Sequence, residues 1–311
     1  MKKESLRLAY GQALVELGRE DERIVVLEAD LGKSTMSILF QEEYPDRYFE
    51  MGIAEANMAG TAAGLSLVGK IPFIHSFAVF ASGRAYDQIR QSIALVGLNV
   101  KICGSSAGLS DFGDGSTHQS IEDMALMRAI PNMTVLVPVD AVETRKMVKA
   151  MVDWDGPVYI RINRNDLPVI TDPDSDFEIG KLQVVRDGSD VAVFANGVMV
   201  SMALEAAEEL AKDGISVKVI NASTVKPLTD EEVLAHVEGC RGVVTAEEHS
   251  IIGGLGSAVA SALRRERDLP IEFVGVKDSF GTSALSYEEL LNHYGLTADA
   301  IKDAVKVVLE G

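Results

Sequence analysis

The sequence predicts two consecutive three-layer α/β domains, each a mostly parallel sheet with helices on both faces. Three observations carry this. Short apolar runs alternate with amphipathic helical segments along nearly the whole chain, the pattern of parallel strands joined by helical crossovers. The length, 311 residues, exceeds what one hydrophobic core ordinarily fills. One stretch, "RNDLPVITDPDSDFEIG", is rich in Pro and Asp and lacks periodicity, so it divides two such units. The expected limits are residues 1–170 for the first domain, 171–188 for a linker and 189–311 for the second.

Each element has its own signal. Leu6, Tyr10, Ala13 and Leu17 recur at helical spacing and predict a first amphipathic helix. "RIVVLEAD" predicts a short apolar strand. "AEANMAGTAAGLSLVG" predicts a helix whose Ala and Gly content lets other elements approach its backbone. Strand "KIPFIHSFA", helix "GRAYDQIRQSIALVG" and strand "NVKICGS" follow, then a Gly/Ser/Asp-rich loop over residues 104–119. Helix "IEDMALMRAI", strand "MTVLVPV", helix "AVETRKMVKAMV" and strand "PVYIRI" complete the first unit. The second unit opens with "DVAVFAN", a helix carrying Ala203, Ala206, Ala207 and Leu210, and "ISVKVINAS". It continues with "DEEVLAHV", "GVVTAEE", a helix from "GGLGSAVASAL", "PIEFVGV" and a closing helix marked by Ile301, Ala304, Val305 and Val308.

Composition excludes several function classes. Apolar residues make up 47% and charged residues 24%, a globular balance. A formal charge of −18 repels a phosphate backbone and argues against nucleic acid. Cys103 and Cys240 form no CxxC pair, which speaks against a disulfide framework or zinc site and for a reducing compartment. No uninterrupted apolar run follows the lysines of "MKKESLRLAYGQAL", and no run approaches a membrane span. A soluble cytoplasmic protein is the expectation.

Two motifs reduce to ordinary packing. "GGLGSAV" has Val259 where a dinucleotide loop needs its third glycine, and it reads as a close-packed helix entry. Asp114, Ser116 and His118 crowd one loop without a GxSxG elbow, so serine-hydrolase chemistry does not fit. "FEMGIAEANMAG" is more informative, because Glu55 opens an apolar, small-residue helix. Such a residue either complements the helix dipole or forms a buried carboxyl suited to proton exchange.

The ordered set G-I-A-E, R-A-Y-D-Q, D-G-x-T-H-Q and I-P-N-M resembles the transketolase family over essentially the whole chain. The first unit is similar to its pyrimidine-binding domain and the second to its C-terminal domain. The resemblance implies thiamine diphosphate (ThDP), with the aminopyrimidine in the first unit. Gly113-Asp114-Gly115 is then a decoy for the family's metal motif. Mg²⁺ needs further oxygen ligands, and "LVPVDAVETRK" lacks the Asn that would supply one. The diphosphate-binding domain that holds Mg²⁺ has no counterpart in these residues. The expected partner is a separate N-terminal subunit with the GDG…N motif, around a homodimer of this chain, in an α2β2 assembly.

Residue by residue, the resemblance makes Glu55 the glutamate that hydrogen-bonds the pyrimidine N1′, and Phe77 and Phe80 the aromatics packing on that ring, with Phe80 favoured for stacking. Asp30 matches an acidic residue near the thiazolium. His118 matches a histidine contacting cofactor and donor hydroxyls, and Asp114 the reader of donor hydroxyl stereochemistry. Arg7, Ser34 and Arg164 match positions that hold the substrate phosphate. Ser106 departs from the family, where many members carry a phosphate-contacting histidine. His75, His249 and Arg84 read as structural. The expected reaction moves a two-carbon ketol unit between sugar phosphates. The competing readings are a deoxyxylulose-phosphate-synthase-like enzyme, the β subunit of a 2-oxo acid dehydrogenase, and a non-catalytic association partner.

Overall fold

Every residue of the segment Ile24–Glu28 is buried, as a strand covered on both faces requires. That strand is β2 in a computed structural model describing residues 2–265 and 269–310. The expected domain limits at Met1 and Gly311 lie outside the described residues. The other strands of the first domain are β1 (Lys3–Ser5), β3 (Tyr48–Glu50), β4 (Ile71–Phe77), β5 (Lys101–Ser105), β6 (Thr134–Leu136), β7 (Val158–Arg161) and β8 (Asp166–Pro168). Those of the second are β9 (Gln183–Arg186), β10 (Val191–Ala195), β11 (Val217–Asn221), β12 (Thr224–Lys226), β13 (Gly242–Ser250) and β14 (Ile271–Val276). The chain thus forms the two α/β domains that its alternation predicts.

The first sheet has seven strands in the order β12-β6-β7-β5-β4-β2-β3. Its pairs are parallel except for the β12 edge, which the second domain contributes antiparallel to β6. The second sheet runs β14-β13-β10-β11-β9, with only β9 antiparallel. A separate antiparallel pair joins β1 to β8. Among the described residues no helix is long and apolar enough to cross a membrane.

Three details depart from the sequence reading. The stretch 171–188, expected as a linker, contains β9, whose residues Gln183–Arg186 already belong to the second sheet. Four half-exposed edge residues give too short an alternation to stand out. The helix expected from "GRAYDQIRQSIALVG" is broken into Tyr86–Gln88 and a π-helical run Ile89–Ala94, and a separate short helix, Ala78–Gly83, precedes it. Ile89 and Ile93 point inward in either winding, so periodicity does not separate them. Strand β12 has only three residues, and its partner lies in the other domain.

A buried polar node docks the domains. Arg161, at the end of β7, donates from Nε to both carboxylate oxygens of Asp123 at 3.1 and 2.9 Å. It also donates to the carbonyl of Ser120 at 3.2 Å and to that of Glu248, on β13, at 2.8 Å. Tyr159 donates to Asp123 Oδ2 at 2.7 Å. Both Arg161 and Asp123 are buried, and removing one member of such a pair strands the other charge without solvent. Asp123→Ala should therefore cost about 3–5 kcal/mol in denaturant unfolding of this chain. A loss below about 1 kcal/mol, the range of a surface pair, would show that the node is not structural.

Candidate active site

In the parallel core β2, β3, β4, β5 and β7 all end at one edge of the sheet. The segments that follow them carry Asp30, Glu55, Phe80, the 106–119 loop and Arg164. Such an edge is where open α/β sheets place ligands. Arg7 arrives by another route. It lies in the first turn of helix Leu6–Glu20, and the pairing of Ser5 with Asp166 across β1 and β8 draws it toward Arg164.

Glu55 opens helix Glu55–Leu67 and is 4% exposed among Met58, Ala59 and Ala62. Arg84 donates to its Oε1 at 3.3 Å. Among the described residues no donor reaches Oε2. Phe77 and Phe80 lie nearly parallel, at 14° with centroids 6.2 Å apart. His118 meets both edge-on, 6.2 Å from Phe77 and 5.3 Å from Phe80. Phe77 is buried while Phe80 keeps partial exposure. Arg84 stands 4.4 Å over the Phe80 ring. Arg84 thus spans Glu55 and Phe80, a place its sequence context did not reveal.

The structure also joins Arg7, Ser34 and Arg164. Arg7 donates to the Arg164 carbonyl at 3.1 Å and to the Ser34 carbonyl at 2.7 Å. Burial, and then the neighbouring Arg164 charge, lowers the Arg7 pKa from its ordinary value. Two cations held this close favour an anion between them. Asp111, which sequence reading passed over, pairs with Arg164, which donates to its Oδ2 at 2.8 Å, while Asp166 and then Asp111 act on Arg7 against the lowering of its pKa. Burial raises the Asp111 pKa, and Arg164 acts against that rise.

Asp30 stands apart. It is exposed with φ +63, its amide donates to Glu50 Oε1 at 2.9 Å, and no bond from its side chain to the other candidates is found among the described residues. Asp30 and Ser34 line one cavity of about 350 Å³ with Lys33, Gln41, Tyr48 and Glu50. Under that turn lies Glu28, fully buried, accepting from Thr35 Oγ1 at 2.8 Å, Ser37 Oγ at 2.5 Å and the Ala29 and Leu31 amides at 3.0 and 3.3 Å. Asp114 is exposed between two glycines, ahead of the short 3₁₀ turn Gly115–Thr117 that leads to His118. Ser106 is fully buried with φ +52 and an unpartnered hydroxyl.

Three further positions resolve into packing. His75 meets the Tyr10 hydroxyl at 2.8 Å and the Leu27 carbonyl at 3.2 Å, and burial lowers its pKa to about 4. His249 is buried beside the Ser250 carbonyl at 2.7 Å. The amides of Leu255 and Gly256, at the entry to the "GGLGSAV" helix, donate to the carboxylate of Glu247 at 2.7 and 2.8 Å. An internal anion thus takes the place that a dinucleotide phosphate would need. Among the described residues no group of three or more His, Cys, Asp or Glu could hold a metal ion.

The chain is thus a two-domain α/β protein with a polar cluster on the strand ends of its first domain. Family profiles specify it. "Transketolase, pyrimidine binding domain" matches residues 2–169, and "Transketolase, C-terminal domain" matches residues 180–301. The chain belongs to the transketolase family. It is 46% identical to the 6-deoxy-6-sulfo-D-fructose transketolase subunit SqwH of a Clostridium species, over 98% of this chain and 94% of that protein. It is 38% identical to human transketolase over 96% of this chain but 48% of that protein. A solved structure described as a split gene transketolase, inactive beta4 tetramer, superposes with a TM-score of 0.89 at 49% identity and covers 98% of both chains.

The family implies ThDP. The residues present fit its pyrimidine end: a buried carboxylate with one free oxygen and, close by in sequence, an aromatic pair with a partly open ring. The Glu28 network offers a test of the turn that carries Asp30 and Ser34. Burial raises the Glu28 pKa from 4.5 to about 7, with the Ser37 and Thr35 hydroxyls opposing. The folded chain therefore keeps this proton to higher pH than the unfolded chain, and stability falls as pH rises from about 4.5 to about 7. Glu28→Gln should make that fall shallower in thermal midpoints measured across this window. An unchanged slope would show that Glu28 is not protonated in the fold.

Proposed function

We propose that this chain is the C-terminal subunit of a two-subunit, ThDP-dependent transketolase that moves a two-carbon ketol unit from a ketose phosphate to an aldose phosphate. The observation that carries the reading is one sheet edge holding the buried Glu55, the Phe77–Phe80–His118 cluster and the paired Arg7 and Arg164. ThDP supplies the carbanion stabilisation that breaks and forms the carbon–carbon bond. The protein's part is binding, orientation and proton placement. Glu55 holds a proton at the pyrimidine N1′. Phe80, with Phe77 behind it, offers a flat apolar surface to that ring. Asp30 would face the thiazolium part of the cofactor.

His118, edge-on to both rings, reaches cofactor and donor hydroxyls, and Asp114 beside it orients the donor through its hydroxyl groups. Arg7 and Arg164, with Ser34, take the terminal anion, where a guanidinium binds oxygens in pairs. The names of two relatives support an anionic sugar: one belongs to a 6-deoxy-6-sulfo-D-fructose transketolase, the other to an apulose-4-phosphate transketolase. The partner is an N-terminal subunit carrying the diphosphate motif and Mg²⁺, in an α2β2 assembly in the cytoplasm. The split-gene relative is described as inactive in its β4 form, which supports dependence on such a partner.

Reconstitution with the cognate N-terminal subunit, ThDP and Mg²⁺ tests this. Glu55→Ala should lower kcat by about 10²- to 10⁴-fold with the circular dichroism of the chain unchanged. Near-normal turnover would remove Glu55 from the mechanism. Arg164→Ala should raise KM for phosphorylated donors by roughly tenfold to a hundredfold, the loss of a charge-assisted bond, and spare unphosphorylated ones. Equal effects on both donor types would take the anion away from this arginine.

A further inference from the structure

The loop carrying Asp114 and His118 is held by the second domain at both ends. Its neck is closed by a backbone pair between Gly108 and Ser120, at 2.9 and 3.1 Å. Just inside the neck the Leu109 amide donates to Glu248 Oε1 at 2.7 Å. Beyond it, residues 281–284 of the second domain lie along the loop as a strap. The Ala284 amide donates to the Phe112 carbonyl at 2.9 Å. Gln119 Nε2 donates to the Thr282 carbonyl at 2.9 Å and to the Asp111 carbonyl at 3.0 Å. The strap is itself anchored, because Tyr294 donates its hydroxyl to the Phe280 carbonyl at 2.8 Å.

Steric fit closes the same contact. Both polar neighbours of the Gln119 amide nitrogen are carbonyl oxygens, so only the NH₂ end can face them. Its Oε1 is buried without a hydrogen-bond partner and lies against Gly281. A Cβ on Gly281 would stand 1.8 Å from that oxygen. On the other side Gly115 has φ +74, and a Cβ there would meet Ser283 at 3.1 Å. The strap therefore touches Phe112, Gly115 and Gln119, and Asp114 and His118 sit between these three points.

We infer that the 281–284 strap and Gln119 form a clasp by which the second domain sets Asp114 and His118 over the reacting carbons. Gln119 and Gly281 are positioning residues, since they act through the loop and not on substrate. The inference rests on the transketolase reading for what Asp114 and His118 do. It adds a task for a domain that contributes no side chain to the proposed chemistry.

The test uses the reconstituted complex with Gly281→Ala, Gln119→Ala and the double variant, read by donor kinetics, hydrogen exchange and thermal unfolding. Gly281→Ala should speed exchange in peptide 111–119 alone. It should also lower kcat/KM for the donor by about tenfold or more, because small misplacements of catalytic groups are costly, with the thermal midpoint unchanged. Gln119→Ala removes the clashing amide, so the double variant should be no worse than Gln119→Ala alone. Unchanged exchange in that peptide, losses that multiply in the double variant, or a lowered midpoint with faster exchange throughout the chain would each overturn the clasp. If the wild-type complex transfers no ketol unit, the functional reading falls. The exchange comparison needs no substrate and still decides the clasp.

Discussion

The Arg161 guanidinium is the constraint on which the rest of the molecule depends. Its Nε is committed to Asp123, and a terminal nitrogen bridges the carbonyls of Ser120 and Glu248. Ser120 closes the neck of the site loop, and Glu248 belongs to the second sheet. One side chain at the end of β7 thus ties together the first sheet, the loop and the neighbouring domain. Fully desolvated, such a charge is tolerable only when its donors are matched, and that need for matching fixes the relative placement of all three. Asn163, two residues on, extends the node through Glu248 Oε2 at 3.1 Å and the Tyr287 hydroxyl at 2.7 Å.

A net charge of −18 does not by itself conflict with the proposed anionic ligand, because the effect of each charge depends on distance. Exposed carboxylates act through a screening length of about 8 Å at physiological salt. Arg7 and Arg164 are half-buried neighbours, and at contact range in a lowered dielectric their attraction outweighs remote repulsion. Asp111 pairs with Arg164, and Asp166 and Asp111 both act on Arg7, so the two guanidinium groups are held together with their positive charge largely offset inside the fold. The acidic surface favours solubility, and selection of the ligand is the role proposed for the arginine pair.

Sequence reading reached the parts of this molecule that repeat or that clash with their surroundings. The two domains were legible because strands such as β2 and β10 are uniformly apolar and long enough to register. Glu55 stood out as an acid opening a small-residue helix, but that pattern left a dipole partner and a buried carboxyl both open, and only the family resemblance implied a role. Contacts made across long separations left no local mark. Arg84 lies 29 residues from Glu55, and Thr282 lies 163 residues from the Gln119 that binds it. Asp111 stood three residues before the glycine-flanked Asp114, and only the fold shows that it faces Arg164. Gly281, a single glycine in an irregular stretch, has meaning only once Gln119 is seen against it.

The same geometry bears on the reading of Gly113-Asp114-Gly115 as a decoy for a metal motif. Asp111, the acid nearest in sequence, has a guanidinium at 2.8 Å, and a divalent cation would have to displace Arg164 to use it. Gly115 is needed instead for its left-handed backbone, which turns the chain tightly against Ser283. Gly113 is exposed and unconstrained, with open space where a Cβ would be. One glycine bends the loop, the other leaves the approach to Asp114 clear. In a metal motif the backbone would gather several oxygens around one point. Here Asp114 is exposed to solvent, ahead of the short turn that leads to His118.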